Sequence, residues 1–313
     1  MIRENVIIGN EYPLKGELII PKSSHPVPAV VFVHGSGASN MDEKVGKLTP
    51  FKDLAEGLAK HGIASIRYDK RSYAHGFKLL MKEKNVTVKQ ETVDDAIMAT
   101  NLLKKDARID ANNVYIIGHS MGAMLAGRID SEGGNYQGLI MMAGSPRPLN
   151  DIMMDQNKDV LAQTKGFTHW IVEKQVKKIT SLFEGIDELS DEEAKKRKIG
   201  NGVTLYYFKE MKRFDTQHYL KTISKPMLIM QGEKDFQATV ERDFLAYKQL
   251  LEGKENVTFK LYENLNHAFV PSVHGNIMKA KQEYNVEQHI GEHVISDIAE
   301  WINNQNVDKM DRK

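Results

Sequence analysis

Residues 114–122 read Val-Tyr-Ile-Ile-Gly-His-Ser-Met-Gly. An apolar strand runs straight into Gly118-x-Ser120-x-Gly122, and the small residues Gly122, Ala123, Ala126 and Gly127 open a helix. Turning from strand to helix at one residue strains the backbone of Ser120 and lifts its hydroxyl clear of the sheet. Side chains at 118 or 122 would meet neighbouring backbone, so both positions want glycine. A serine presented this way can attack a carbonyl, given a base for its proton and donors for the charge that develops on oxygen. Upstream, Pro28-Ala29-Val30-Val31-Phe32-Val33 reads as a buried strand ending in His34-Gly35-Ser36-Gly37. An H-G-x-G turn there offers the backbone N–H of Ser36, and Met121, next after the serine, offers a second. Downstream, the strand Pro226-Met227-Leu228-Ile229-Met230 leads to Gln231-Gly232-Glu233-Lys234-Asp235. The strand from Val257 to Tyr262 leads to Asn264-Leu265-Asn266-His267. His267 is in a loop rather than on an apolar face, which favours chemistry over core packing. Of the nearby acids, Glu233 lies inside the Gly232 turn and Glu263 would have to fold back on its own loop. Asp235 is far enough past its strand to turn toward His267.

The order Ser120, Asp235, His267 is that of the α/β-hydrolases, not of the chymotrypsin or subtilisin arrangement. The chain resembles α/β-hydrolase serine esterases of the dienelactone-hydrolase/acyl-peptidase-like group, and more narrowly bacterial carboxylesterases with an H-G-S-G loop. The stretches that carry the resemblance include His34-Gly35-Ser36-Gly37, Arg67-Tyr68-Asp69-Lys70-Arg71 and Gly118-His119-Ser120-Met121-Gly122. Further stretches are Ala143-Gly144-Ser145-Pro146-Arg147-Pro148-Leu149, Gln231-Gly232-Glu233-x-Asp235, Leu265-Asn266-His267 and Glu283-Tyr284-Asn285-Val286. The likeness covers nearly the whole chain and is weakest between about residues 150 and 205. It implies the hydrolase fold, ester chemistry and the same acid, Asp235. After H-G-S-G the family continues with Pro and an Asp-Arg-Asp run. This chain has Ala38-Ser39-Asn40-Met41-Asp42 instead, so the oxyanion backbone is carried over but the pocket rim is not; the middle segment also differs, so substrate choice is not carried over.

These residues need a scaffold. Strands at 29–33, 63–68, 114–117, 138–142, 227–231 and 257–262 alternate with helical stretches, which predicts a mostly parallel, doubly wound α/β sheet with ligands at the strands' carboxyl ends. An antiparallel pair at 5–8 and 14–20 precedes it, around Gly9-Asn10. Phe51, Leu54, Ala55 and Leu58 make one helix face, with Thr49 as N-cap and Pro50 in the first turn. Thr87 and Gln90 form a capping-box pattern for a helix to about Ala107.

More than 80 residues separate the strands at 138–142 and 227–231, where one helix would suffice. The reading is an α/β-hydrolase core at 1–146 and 223–313 with a helical cap inserted at 147–222. Val172, Val176, Ile179 and Phe183 form a helical stripe there, and Ser190 with Glu193 marks another helix start. Its aromatics (Phe167, Trp170, Tyr206, Tyr207, Phe208, Phe214) either line an acyl or aryl pocket or fix the cap to the core.

Other patterns are assigned structural roles. His289-x-x-Glu292-His293 matches an inverted zinc-peptidase motif. Gly291 weakens the helix and few residues remain for a third ligand, so both histidines are expected to face solvent on the last helix. Asp69 and Arg71 are expected to pair with each other. Asp94 and Asp95 suit a helix N-terminus, Lys195-Lys196-Arg197-Lys198 a solvated helix face, and 304–313 a frayed end.

Lysine plus arginine number 43 and aspartate plus glutamate 42, which gives no field for nucleic acid or anionic membrane. There is no cysteine, so thiol nucleophiles, disulfides and thiolate metal sites are excluded. Met1-Ile2-Arg3-Glu4-Asn5-Val6 lacks a signal-peptide apolar stretch. No apolar run approaches the roughly 20 residues of a membrane span. The expectation is a cytoplasmic serine carboxylesterase for short or medium acyl or aryl esters. It needs no metal or organic cofactor, and a homodimer is left open. A small acyl-peptide peptidase or a thioesterase would share the site. A non-catalytic binding protein on this fold would usually have lost Ser120 or His267.

Overall fold

The computed structural model describes residues 1–200 and 202–310. Eight strands make the central sheet: β1 (Ile2–Ile8), β2 (Leu14–Ile20), β3 (Val27–Val33), β4 (Ala64–Tyr68), β5 (Ile109–His119), β6 (Leu139–Met142), β9 (Met227–Gly232) and β10 (Val257–Tyr262). A separate hairpin pairs β7 (Lys198–Gly200) with β8 (Val203–Thr204). The sheet order is β1-β2-β4-β3-β5-β6-β9-β10. Pairs β1–β2 and β2–β4 are antiparallel, and the rest are parallel.

The central strands are apolar almost throughout because both faces are covered. On one face Val31, Val33 and Ile116 pack with Ala96, Ala99 and Leu125 of the helices Asp94–Lys104 and Met121–Ile129. On the other, Val30, Phe32 and Ile117 meet Phe51 and Leu54 of the helix Pro50–Lys60 and Ile298 of the helix Glu292–Met310. Alternate residues of one strand thus serve two cores, as the period of two requires.

The segment between β6 and β9 holds the helices Leu149–Ala162, Gly166–Phe183, Asp191–Lys196, Leu205–Arg213 and Thr216–Thr222, plus the β7–β8 hairpin. The Ser190–Glu193 capping box forms. So does the reciprocal pair at Thr87 and Gln90, although the turn that follows, Lys89–Val93, is a π-turn.

Several local expectations are corrected. Thr49 stands at the N-cap but its side chain makes no capping bond, while Pro50 occupies the first turn as expected. The Asp94–Lys104 helix stops short of Ala107; Asp106 instead accepts the N–H of Arg108 at 2.9 Å, a side-chain bond that favours a turn. Asp69 and Arg71 do not pair. Asp69 accepts the N–H of Met41, and Arg71 pairs with buried Asp95. The Lys195–Lys198 run is not one helix face, since the helix ends at Lys196 and Lys198 begins β7. His289 precedes the last helix, which Gly291 delays to Glu292, and its Nδ1 lies 3.0 Å from Asp53. That helix runs to Met310; residues 311–313, the last of the stretch expected to fray, lie outside the described residues.

Candidate active site

Ser120 links β5 to the helix Met121–Ile129 with φ 53° and ψ −118°, a region that L-residues with a Cβ rarely occupy. The flanking glycines make the turn possible. A Cβ at Gly118 would lie 2.3 Å from the carbonyl oxygen of Gly122, and one at Gly122 only 2.1 Å from that of Val33. Met121 is the first residue of its helix, so its N–H has no intrahelical acceptor.

His267 sits in the loop after β10, and Asp235 in the loop after β9. Their loops lie so close that a Cβ on Gly232 would be 2.5 Å from the carbonyl oxygen of Leu265. His267 Nδ1 is 2.7 Å from Asp235 Oδ2. The carboxylate accepts, so Nδ1 carries the proton, and in the neutral ring this leaves the lone pair on Nε2. Asp235 is itself held: Oδ2 accepts from Gln231 Nε2 at 2.9 Å, and Oδ1 accepts the N–H groups of Gln237 and Ala238 at 2.7 and 3.0 Å. Glu233 instead accepts the N–H of Asn264 at the surface, and Glu263 is exposed. Ser36, Ser120 and His267 line one cavity together.

A second set of buried polar groups surrounds these. His119 Nε2–H donates to the carbonyl oxygen of His267 at 2.8 Å, and its Nδ1 lies 3.0 Å from Glu43 Oε2. Both neighbours are acceptors, which favours an imidazolium. Burial opposes that charge, but Glu43, the His267 carbonyl and Asp235 together raise His119 above its ordinary value. Glu43 is likewise buried, yet His119 holds its carboxyl below the ordinary range, helped by His34 and the Gly35 N–H. Burial pushes His34 down to about 4, and as a neutral ring its Nε2 bonds the carbonyl of Asn40 at 3.0 Å. Glu283 braces the His267 loop by accepting from Asn266 Nδ2 and from the N–H groups of Val273 and His274. The sequence did not single out Glu43, His119 or Glu283, which the structure places around the His267 and Ser36 loops. The signals were charged residues inside the shared stretches, His119 within the serine pentapeptide and Glu283 in Glu-Tyr-Asn-Val.

Beyond Ser36 and Met121 opens a larger cavity of about 570 Å³. Its wall includes Leu79, Val86, Leu149, Met153, Tyr207 and Phe208. Of the aromatics between β6 and β9, Tyr207 and Phe208 therefore reach this cavity. Phe167 and Trp170 are exposed and stack on each other, and Phe214 lies under the guanidinium of Arg128. No helix among the described residues is long and apolar enough to cross a membrane.

The strand order, the serine turn and the loops at the strands' carboxyl ends are those of an α/β-hydrolase. More narrowly, the chain belongs to the serine aminopeptidase, S33 family, which matches residues 24–271. It is 35% identical over 289 residues to esterase EstD of Thermotoga maritima, a match covering 92% of this chain and 65% of that protein. Among solved structures it is similar to the Pyrococcus furiosus esterase Pf2001, with TM-score 0.59 and 17% identity over 97% of this chain and 91% of that one. Est1E from Butyrivibrio proteoclasticus gives TM-score 0.59 and 16% identity, covering 97% and 99% of the two chains.

Proposed function

We propose that this protein is a serine carboxylesterase acting on short or medium acyl or aryl esters through an acyl-enzyme. The observation that carries the reading is the 2.7 Å contact of His267 Nδ1 with buried Asp235, beside a cavity that His267 shares with Ser120. Ser120 attacks the ester carbonyl while His267 Nε2 takes its proton. Asp235 holds the tautomer and stabilises the imidazolium. The N–H groups of Ser36 and Met121 receive the developing oxyanion. The C–O bond then breaks, His267 protonates the departing alcohol, and water repeats the sequence to release the acid. No metal or organic cofactor enters any step. Residues 147–222 act as a cap on a core formed by 1–146 and 223–313. The 570 Å³ cavity, in the usual size range for small-molecule sites, takes the acyl or aryl part. A chain without cysteine suits the reducing cytoplasm.

The family description favours one second reading, a peptidase acting on small acyl-peptides. Turnover of matched aryl ester, anilide and thioester substrates decides between them. The esterase reading expects the ester to be cleaved fastest by a wide margin; faster anilide cleavage overturns it. Fluorophosphonate should label the wild type and not Ser120→Ala.

A further inference from the structure

The loop after β3 must aim a backbone donor accurately, yet glycines at 35 and 37 leave it little side-chain packing of its own. Its orientation comes from outside. Lys70 Nζ donates to the carbonyl oxygens of Gly35 and Gly37 at 2.8 and 3.0 Å. From the other side, the N–H of Gly35 donates to Glu43 Oε1 at 2.7 Å. The Lys70 side chain is 1% exposed, and the nearest oxygen of Glu91 is 3.7 Å away. An ammonium is costly to bury, and this one spends two of its three donors on a single loop. No peptide bond among the described residues is cis. In a trans peptide the C=O and N–H point to opposite sides. Fixing the Gly35 oxygen on Lys70 therefore turns the N–H of Ser36 away from Lys70, and Ser36 lines the cavity that holds Ser120 and His267. A cation on the carbonyl oxygen also polarises that amide and strengthens its N–H as a donor.

We propose that Lys70 is a positioning residue for the oxyanion hole, its buried ammonium orienting the loop through the Gly35 and Gly37 carbonyls and polarising the Ser36 N–H through that of Gly35. This rests on the serine-esterase reading above. Lys70 touches no substrate in this role and acts through the loop. The groups facing it are Glu91, Glu43 and Asp95, which favour its charge, and neutral His34, which stands close to Glu43. Burial outweighs these carboxylates and brings Lys70 below the ordinary 10.5. The ammonium, and with it the polarisation of the Ser36 amide, is then lost as pH rises through that lowered value.

The test compares wild type with Lys70→Met on an aryl ester, and measures inhibition by a trifluoromethyl ketone and by its methyl ketone counterpart. The first forms a tetrahedral oxyanion on the serine, whereas the second binds with its carbonyl intact. In Lys70→Met, kcat should fall on the order of 10²-fold with KM little changed. Affinity for the trifluoromethyl ketone should fall in step, affinity for the methyl ketone should hold, and the alkaline limb of kcat/KM should disappear. An unchanged ratio of the two ketone affinities overturns the proposal even if kcat drops, because a purely structural lysine would weaken both alike. If Lys70→Met does not fold, Lys70→Arg carries the test. Its charge persists to higher pH, so the alkaline limb must move upward, and an unmoved limb overturns the proposal. Absence of fluorophosphonate labelling in the wild type would overturn the esterase reading together with this one. A labelled wild type with an unchanged ketone ratio in the variant overturns only the role of Lys70.

Discussion

Asp235 spends one carboxylate oxygen on His267 and Gln231 and the other on two backbone N–H groups. An acid so fully engaged is aimed at one tautomer of one imidazole. Asp235→Asn should cost on the order of 10⁴ in kcat, as in comparable serine sites, while Glu233→Gln and Glu263→Gln should stay near wild type. A nearly silent Asp235→Asn in steady-state kinetics would transfer the acid's role elsewhere. The Glu43–His119 pair lends itself to a stability measurement. Glu43 is lowered from 4.5, so its contribution is present above that value and lost as pH falls through its folded value. His119 is raised from 6.5, so its contribution is complete below 6.5 and lost as pH rises through its folded value. The Tm gap between wild type and Glu43→Gln should therefore be widest between pH 4.5 and 6.5 and shrink at higher pH. A gap independent of pH would mean that the pair is not charged.

At the scale of elements, the turn from β5 into its helix is the feature most tightly specified by residue type. A methyl group on residue 122 has nowhere to go but into the Val33 carbonyl, and backbone cannot yield as a flexible side chain can. Gly122→Ala should destabilise by on the order of 4 kcal/mol or fail to fold, read by denaturant unfolding; a loss below about 1 kcal/mol would show that β3 and β5 separate easily. The apolar strands, the serine turn and the capping boxes at Ser190 and Thr87 were legible because each depends on near neighbours in sequence. Thr49 holds the expected N-cap position without a capping bond, and the end of the Asp94–Lys104 helix was misread because the turn at Asp106 decides it. Arg71 was misassigned for a related reason: its carboxylate partner, Asp95, is 24 residues away rather than two.

For the whole molecule, the question is how the segment between β6 and β9 is tied to the rest of the fold. Arg128, on the helix behind Ser120, is fully buried and pairs with Glu210 of the helix Leu205–Arg213, with Glu132 as a second partner. Glu210→Gln leaves that guanidinium short of charge and should cost on the order of 3 kcal/mol, seen as a lowered Tm; an unchanged Tm would mean that Glu132 alone suffices. The cavity makes a prediction of its own. Met153→Trp should cut turnover of medium-chain acyl esters about tenfold or more while sparing acetate esters, and equal losses on both would place the acyl chain elsewhere.

By itself the sequence determined the sheet's strands and the Ser120 turn, because apolar runs and turn chemistry are written within a few consecutive positions, and it offered Asp235 and His267 only as an expectation. Only the tertiary structure decided that Asp235 rather than a nearby glutamate meets His267, that Glu43 and Lys70 grip the loop carrying Ser36, and that Tyr207 and Phe208, but not Phe167 or Trp170, reach the cavity. These contacts join residues 8 to 171 positions apart, or choose among aromatic side chains on different helices of one segment. Burial in the folded chain, not the local residue pattern, sets which of them pair.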